Sequence, residues 1–151
     1  MDAPHIRRAI SEDVPAIEAC ARAAYAIYVE RIGREPAPMV ADFARQVING
    51  QIWILAQHTN LLGFVVFYPR DDHLHLENLA MVPAIKGRGL GRRLLEFVED
   101  EARRRSLAAV ELYTHEKMIE NQVFYPRCGY REIDRRIEDG FDRVYYRKDV
   151  S

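Results

Sequence analysis

Apolar positions along the chain change period several times, and each change marks an element. "HIRRAI" reads as a short opening strand. Val14, Ile17, Cys20, Ala21, Ala24, Tyr25 and Tyr28 then recur at helical spacing. Ser11 is placed to cap that helix, Glu12 and Asp13 occupy its first turn, Pro15 lies near its start, and Gly33 stops it. Beyond "REPAP", the segment "MVADFARQVI" reads as a second helix ended by Asn49-Gly50. "QIWILAQ" and "LLGFVVFYP" are dense in β-formers, and "HTN" between them predicts a hairpin. "HLHLENLAMV" is a further strand, closed by Pro83. From Leu90 the period returns to 3.6, with Leu94, Leu95, Val98 and Ala102 on one stripe and Arg92, Glu96, Glu99 and Arg103 opposite. "AAVELYT" is a buried type of strand and "EKMIENQVFYPRC" a helix that Pro126 and Gly129 terminate. "YREIDRRI" and "FDRVYYRK" form a hairpin across Glu138-Asp139-Gly140. The order of strand, two helices, three strands, helix, strand, helix and two strands predicts one mixed α/β domain over residues 1–151.

Composition narrows the function classes. A net charge of -1 excludes a generally basic nucleic-acid binder. The arginines Arg103, Arg104, Arg105, Arg135 and Arg136 are interspersed with acids, so no nucleic-acid partner is expected. No apolar run is long enough for a membrane span, and "MDAPHIRRAI" does not have the pattern of a signal peptide. Cys20 and Cys128 fit no metal or redox spacing and read as reduced, buried thiols, which points to a cytoplasmic protein. The His73-x-His75 pair lacks further Cys or His neighbours, so no metal site is expected.

The segment "MVPAIKGRGLGRRLLEFVEDEA" carries the strongest chemical signal. A helix amino terminus presents unpaired N–H groups and the positive end of the helix dipole. Gly87, Gly89 and Gly91 just before and at that terminus let the backbone approach a phosphate, and Lys86, Arg88 and Arg92 add full charges. The pattern is neither the dinucleotide fingerprint nor a P-loop, because Arg92 replaces the third glycine and no Gly-Lys-Ser/Thr ending is present.

"NLAMVPAIKGRGLGRRLLEFVEDEA" resembles the acetyl-CoA-binding motif of the GNAT N-acetyltransferase superfamily, with Lys86 standing where that family has Gln or Arg. "FYPRCGY" is similar to its second motif, and the element order fits nearly the whole chain. The resemblance implies a central, mostly antiparallel mixed sheet of about seven strands with splayed fourth and fifth strands, flanked by about four helices. It implies acetyl-CoA as cosubstrate. Leu79, Ala80 and Met81 would pair with the pantetheine through their backbone, one amide serving the thioester carbonyl. Lys86, Gly87, Arg88, Gly89, Leu90, Gly91 and Arg92 would wrap the pyrophosphate. Tyr125 would protonate the leaving thiolate, with Phe124 and Asn121 also placed towards the coenzyme. Met118 stands where many members carry an Asn, and Asn121 is one helical turn before Tyr125.

An attacking amine must lose a proton, and a carboxylate is the usual family base. Strand alternation puts His73, His75 and Glu77 on one face, so Glu77 is the first choice, with Glu111 and Glu116 as rivals. The bland reading for His73 and His75 is polar surface near a sheet edge. Tyr25, Tyr28, Arg31, Arg34 and Glu35 line the segment that implies an acceptor wall, able to hold a cationic amine or an anionic group. The short turn "EDGFDR" favours a small amine over a peptide amino group. A non-catalytic acyl-CoA-binding regulatory module is the alternative, and the aromatic final strands are open to a homodimer contact.

Overall fold

The computed structural model describes residues 3–151. The strands are β1 (His5–Arg8), β2 (Ile52–Gln57), β3 (Asn60–Arg70), β4 (His73–Met81), β5 (Ala109–His115), β6 (Arg131–Glu138) and β7 (Phe141–Asp149). The helices are α1 (Val14–Ile32), α2 (Phe43–Ile48), α3 (Leu90–Arg104) and α4 (Ile119–Arg127). The strands form a seven-stranded sheet in the order β1-β2-β3-β4-β5-β7-β6. β4 and β5 run parallel, whereas β1–β2, β2–β3, β5–β7 and β6–β7 are antiparallel. By internal contacts the chain divides into two compact units, Met1–Phe67 with Asn78–Leu95 and Tyr68–Glu77 with Glu96–Ser151. β3 and β4 each contribute residues to both.

In the first unit, Ile17, Cys20, Ala21, Ala24, Tyr25 and Tyr28 make the buried stripe of α1, as the periodicity predicts. Ser11 does not cap it. Ser11–Asp13 is a 3-10 turn instead, and the Asp13 carboxylate accepts from the Ile10 amide at 2.8 Å and from Arg7 at 2.9 Å. The bond from Arg7 holds that carboxylate at the Ile10 amide, so it closes the 3-10 turn and does not cap α1. The second helix is shorter than "MVADFARQVI" suggests. Asp42 accepts from the Arg45 amide and starts α2 at Phe43, while Ala37–Met39 forms a separate 3-10 turn. Phe43 packs edge-on against Phe64, 5.5 Å between ring centres. Leu62–Phe67 is a continuous buried run along β3, so that strand is covered on both faces.

Gly63 allows a close approach within this unit. A Cβ there would lie 2.7 Å from the Ala80 carbonyl oxygen and 2.5 Å from the Met81 sulfur. The missing side chain lets β3 lie tight against the second half of β4, where the Val82 amide donates to the Leu62 carbonyl.

In the second unit, β4 pairs with β5 from His73↔Ala109 to Leu76↔Leu112, and β4 then continues to Met81. Asp139 and Gly140, at φ 53° and 77°, form the two-residue β6–β7 turn. β6 is an exposed edge strand, charged and broken by a bulge between Glu132 and Asp134, features that blunt edge pairing. α4 begins at Ile119, later than expected, because Glu116–Met118 is a turn in which the Lys117 amide bonds to His115 Nδ1. It ends in a Schellman motif: the Tyr130 amide donates to Tyr125 O and the Gly129 amide to Pro126 O. Buried Glu99 accepts from the Tyr130 hydroxyl at 2.9 Å and Lys148 at 3.0 Å, tying α3, β7 and the residues after α4 together. Among the described residues no helix is long and apolar enough to cross a membrane.

Candidate active site

The glycine segment folds as a 3-10 turn, Pro83–Ile85, followed by a loop that enters α3 at Leu90. Gly87 and Gly89 sit at φ 88° and 76°, the left-handed region that a side chain strongly disfavours. No protein atom lies within 4 Å of a Cβ built on either, so the space around them is open. The first helical bond of α3 runs from the Arg93 amide to the Gly89 carbonyl, so the amides of Leu90 and Gly91 lie ahead of it in the first turn. Lys86, Arg88 and Arg92 are exposed around them, while Leu90 and Gly91 are half-buried. These residues fit a polyphosphate group: donors, positive charge and unobstructed backbone coincide.

Just ahead of this loop, Ala80 and Met81 are buried and Leu79 is half-buried. Asn78, 3% exposed, is fixed at both ends of its amide: Oδ1 accepts from the Tyr25 hydroxyl at 2.7 Å, and Nδ2 donates to the Pro38 carbonyl at 2.8 Å. The residues of the expected acceptor wall divide between core and surface. Tyr25 and Tyr28 are core residues of α1, and Arg31 lies over the Tyr28 ring at 5.4 Å. Arg34 and Glu35 are exposed.

In the second unit, Glu77 is half-buried and accepts from the Tyr68 hydroxyl at 3.0 Å. Burial, then the Glu77 charge, pushes the Tyr68 phenol up to about 12, so it stays a donor. His73 and His75 are not edge surface. They are 7% and 5% exposed, because β4 is the fourth strand of seven and is flanked on both sides. His75 lies between the rings of Tyr68 and Tyr113, at 5.4 and 5.8 Å. Burial, aided by Arg70, His73 and Arg143, lowers its imidazole to about 4 and keeps it neutral near pH 7.

The rival bases are placed differently. Glu111 accepts from Arg147 at 2.6 Å and lies 3.6 Å from His73 Nε2, and Glu116 is exposed. Asp72, His73 and Glu111 bring ligand-type atoms within 4.8 Å of one another, but Arg147 donates to both carboxylates and supplies the positive charge there.

On α4, Tyr125 is 5% exposed and its ring packs against Phe124, Tyr130 and Tyr146 at 5.1, 5.8 and 6.0 Å. Phe124 is half-buried. Asn121 Nδ2 donates to Thr114 Oγ1 at 3.0 Å, which fastens the start of α4 to β5. Buried Met118 fills the space one turn earlier. Sequence reasoning passed over Tyr68, Asn78 and Arg70. Their only signal was position: Tyr68 and Arg70 alternate at the end of an apolar strand, and Asn78 is a polar residue in a run that is otherwise buried.

A family model described as the acetyltransferase (GNAT) family matches residues 17–130. An aminoalkylphosphonate N-acetyltransferase of Salmonella typhimurium is 33% identical over 67 residues, 40% of this chain and 44% of that protein. The matched part therefore spans less than half the length of that curated relative. Among solved structures, a PaiA N-acetyltransferase of Thermoplasma acidophilum in complex with coenzyme A is 17% identical, with a TM-score of 0.81 over 98% of this chain and 99% of that one. The ribosomal-protein-S18-alanine N-acetyltransferase of Escherichia coli is 22% identical, with a TM-score of 0.77 over 99% and 95%. These two likenesses are of fold.

Proposed function

Because the chain belongs to the acetyltransferase (GNAT) family, we propose that it is an N-acetyltransferase that moves the acetyl group of acetyl-CoA to a primary amine. The observation that carries this reading is the loop with Gly87 and Gly89 in the left-handed region, open space around both, and the start of α3 at Leu90 directly beyond. Residues 1–151 act as one acetyltransferase domain. Lys86, Arg88, Arg92 and the amides of Gly87–Arg92 hold the pyrophosphate, and the backbone of Leu79, Ala80 and Met81 pairs with the pantetheine. Phe124 and Asn121 contribute to the coenzyme site from α4.

The amine nitrogen attacks the thioester carbonyl carbon directly in a ternary complex. A backbone amide of β4 donates to the oxygen as negative charge develops there. When the carbon–sulfur bond breaks, the Tyr125 phenol gives its proton to the thiolate. Glu77, oriented by its bond from Tyr68, takes the proton that the amine loses. Holding the two substrates together supplies much of the acceleration.

The acceptor is a small amine. The two-residue β6–β7 turn offers no arm to clamp a peptide, and the Salmonella relative is named for a small aminoalkyl substrate. Calorimetric titration with acetyl-CoA, using ADP and NAD as controls, followed by thiol release across an amine panel, tests the reading. Selective binding with amine-dependent release supports the enzyme. Selective binding without release from any amine supports the regulatory module, and no binding sinks both.

A further inference from the structure

Arg70 differs from the other arginines near Glu77 in its pairing. Arg147 is held by Asp72, Glu111 and Asp149, and Arg136 by Asp134 and Glu138. Arg143, only 9% exposed in its side chain, lies over the Tyr113 ring at 4.2 Å with Glu138 and Asp139 at 3.7 and 3.6 Å. Arg70 is exposed, and its charge reaches Glu138 at a distance and not through a hydrogen-bonded ion pair among the described residues. Its direct contact is with Tyr68: the guanidinium lies 5.6 Å from the ring centre, and Nη2 donates to the hydroxyl at 3.5 Å.

That same hydroxyl donates to Glu77 Oε1 at 3.0 Å. One phenol oxygen therefore has a carboxylate on one side and a solvent-exposed guanidinium on the other. Arg70 and Arg143 are both close enough to act on His75. Glu77 offers a partner for an ammonium or for the proton it sheds, and Arg70 offers a partner for an anion. A guanidinium and a carboxylate that share one hydroxyl lie close enough for the two ends of one short molecule to meet both.

We propose that Arg70 is the anion-binding group of the acceptor site, and that the acceptor is a short primary amine bearing a carboxylate, phosphate or phosphonate a few bonds from its nitrogen. This rests on the acetyltransferase reading with Glu77 as base. The amine is directed towards Glu77, the anionic end is held by Arg70, and Tyr68 sets the distance between them. Neutral amines of equal length lose the Arg70 contact.

The test compares 2-aminoethylphosphonate and β-alanine with 2-aminoethanol and propylamine in the thiol-release assay, at fixed low ionic strength because salt screens an exposed charge. The expected preference for the anionic acceptors in kcat/KM is about tenfold or more, the scale of a hydrogen bond to a charged group. Arg70→Met, which keeps an apolar stem over Tyr68, should collapse that ratio through KM, and Arg70→Lys should restore part of it. Equal use of both amine classes by the native protein, or an unchanged ratio in Arg70→Met, overturns the proposal. If no amine supports release, the transferase reading fails on its own, and calorimetry with 2-aminoethylphosphonate on the coenzyme-loaded protein decides the subsite. Binding lost in Arg70→Met upholds it, and equal or absent binding in both proteins overturns it.

Discussion

The Tyr25 hydroxyl donates to Asn78 Oδ1 at 2.7 Å, in a site where both residues are buried. Asn78 passes the connection on to the Pro38 carbonyl, and the Tyr25 oxygen also lies 3.4 Å from the Leu79 carbonyl. One side chain therefore ties α1, β4 and the 3-10 turn Ala37–Met39 together directly before the strand segment assigned to the pantetheine. Tyr25→Phe keeps the ring and removes the donor, leaving a buried amide oxygen without it. The expected loss is about 1–3 kcal/mol in urea unfolding. A double-mutant cycle with Asn78→Ala should show coupling, since the second change removes the stranded acceptor. Additive effects would mean that the bond contributes little.

At Gly89 the cost of a side chain lies in the backbone, since no protein atom would meet a Cβ there. At φ 76° an L-residue is strained by about 1–2 kcal/mol. Gly89→Val should give a folded protein with acetyl-CoA affinity reduced below calorimetric detection, through loop distortion and obstruction of the phosphate. Gly89→Asn, which tolerates the left-handed region better, should retain more affinity than Gly89→Ala. Equal affinity in all three variants and the native protein would remove this loop from the coenzyme site.

Much of this loop was legible in the sequence, because glycines before an amphipathic helix report a backbone demand that only glycine meets cheaply. The strand and helix order was legible for a similar reason: period 2 and period 3.6 reflect which face is buried. What local pattern could not supply was the sheet order. Alternation correctly placed His73, His75 and Glu77 in register, but not β4 between β3 and β5, so burial of the histidines was missed. The packing of the expected acceptor wall was hidden in the same way. Tyr25 looks equally suited to a pocket and to a core, and its partner, Asn78, lies 53 residues away. The second helix starts later than its pattern suggests because Asp42 caps it at Phe43, and Ser11 is displaced as a cap because the chain turns as a 3-10 helix there.

Tyr125→Phe should leave acetyl-CoA affinity within about twofold of the native value, because the ring contacts with Phe124, Tyr130 and Tyr146 survive. Transfer should slow by about 100-fold or more if the phenol is the acid, the usual scale for a lost general acid. The distinguishing measurement is the leaving-group dependence: an acyl donor with a more acidic thiol should recover much of the rate. An unchanged kcat with acetyl-CoA would show that Tyr125 is only a packing residue.

His75 sets the acid response of the second unit. Its imidazole is lowered from 6.5 to about 4, first by burial and then by Arg70, His73 and Arg143, with Tyr68 and Tyr113 as the rings against it. Above 6.5 the ring is neutral in both folded and unfolded chains and pH has no effect through it. As pH falls from 6.5 towards 4, the unfolded chain takes up a proton that the folded protein refuses, so stability declines by about 3 kcal/mol in all. Asp13 and Asp72, both lowered by their arginine bonds, act in a different window, since their contributions are lost only below the ordinary carboxylate range. Urea unfolding of the native protein should therefore show a loss of about 2 kcal/mol from this residue between pH 7 and pH 5. His75→Gln should flatten that part of the profile while leaving the fall below pH 4 in place. Identical slopes in the two proteins would mean that the fold admits the proton, and that His75 is charged where the packing of Tyr68 and Tyr113 implies it is not.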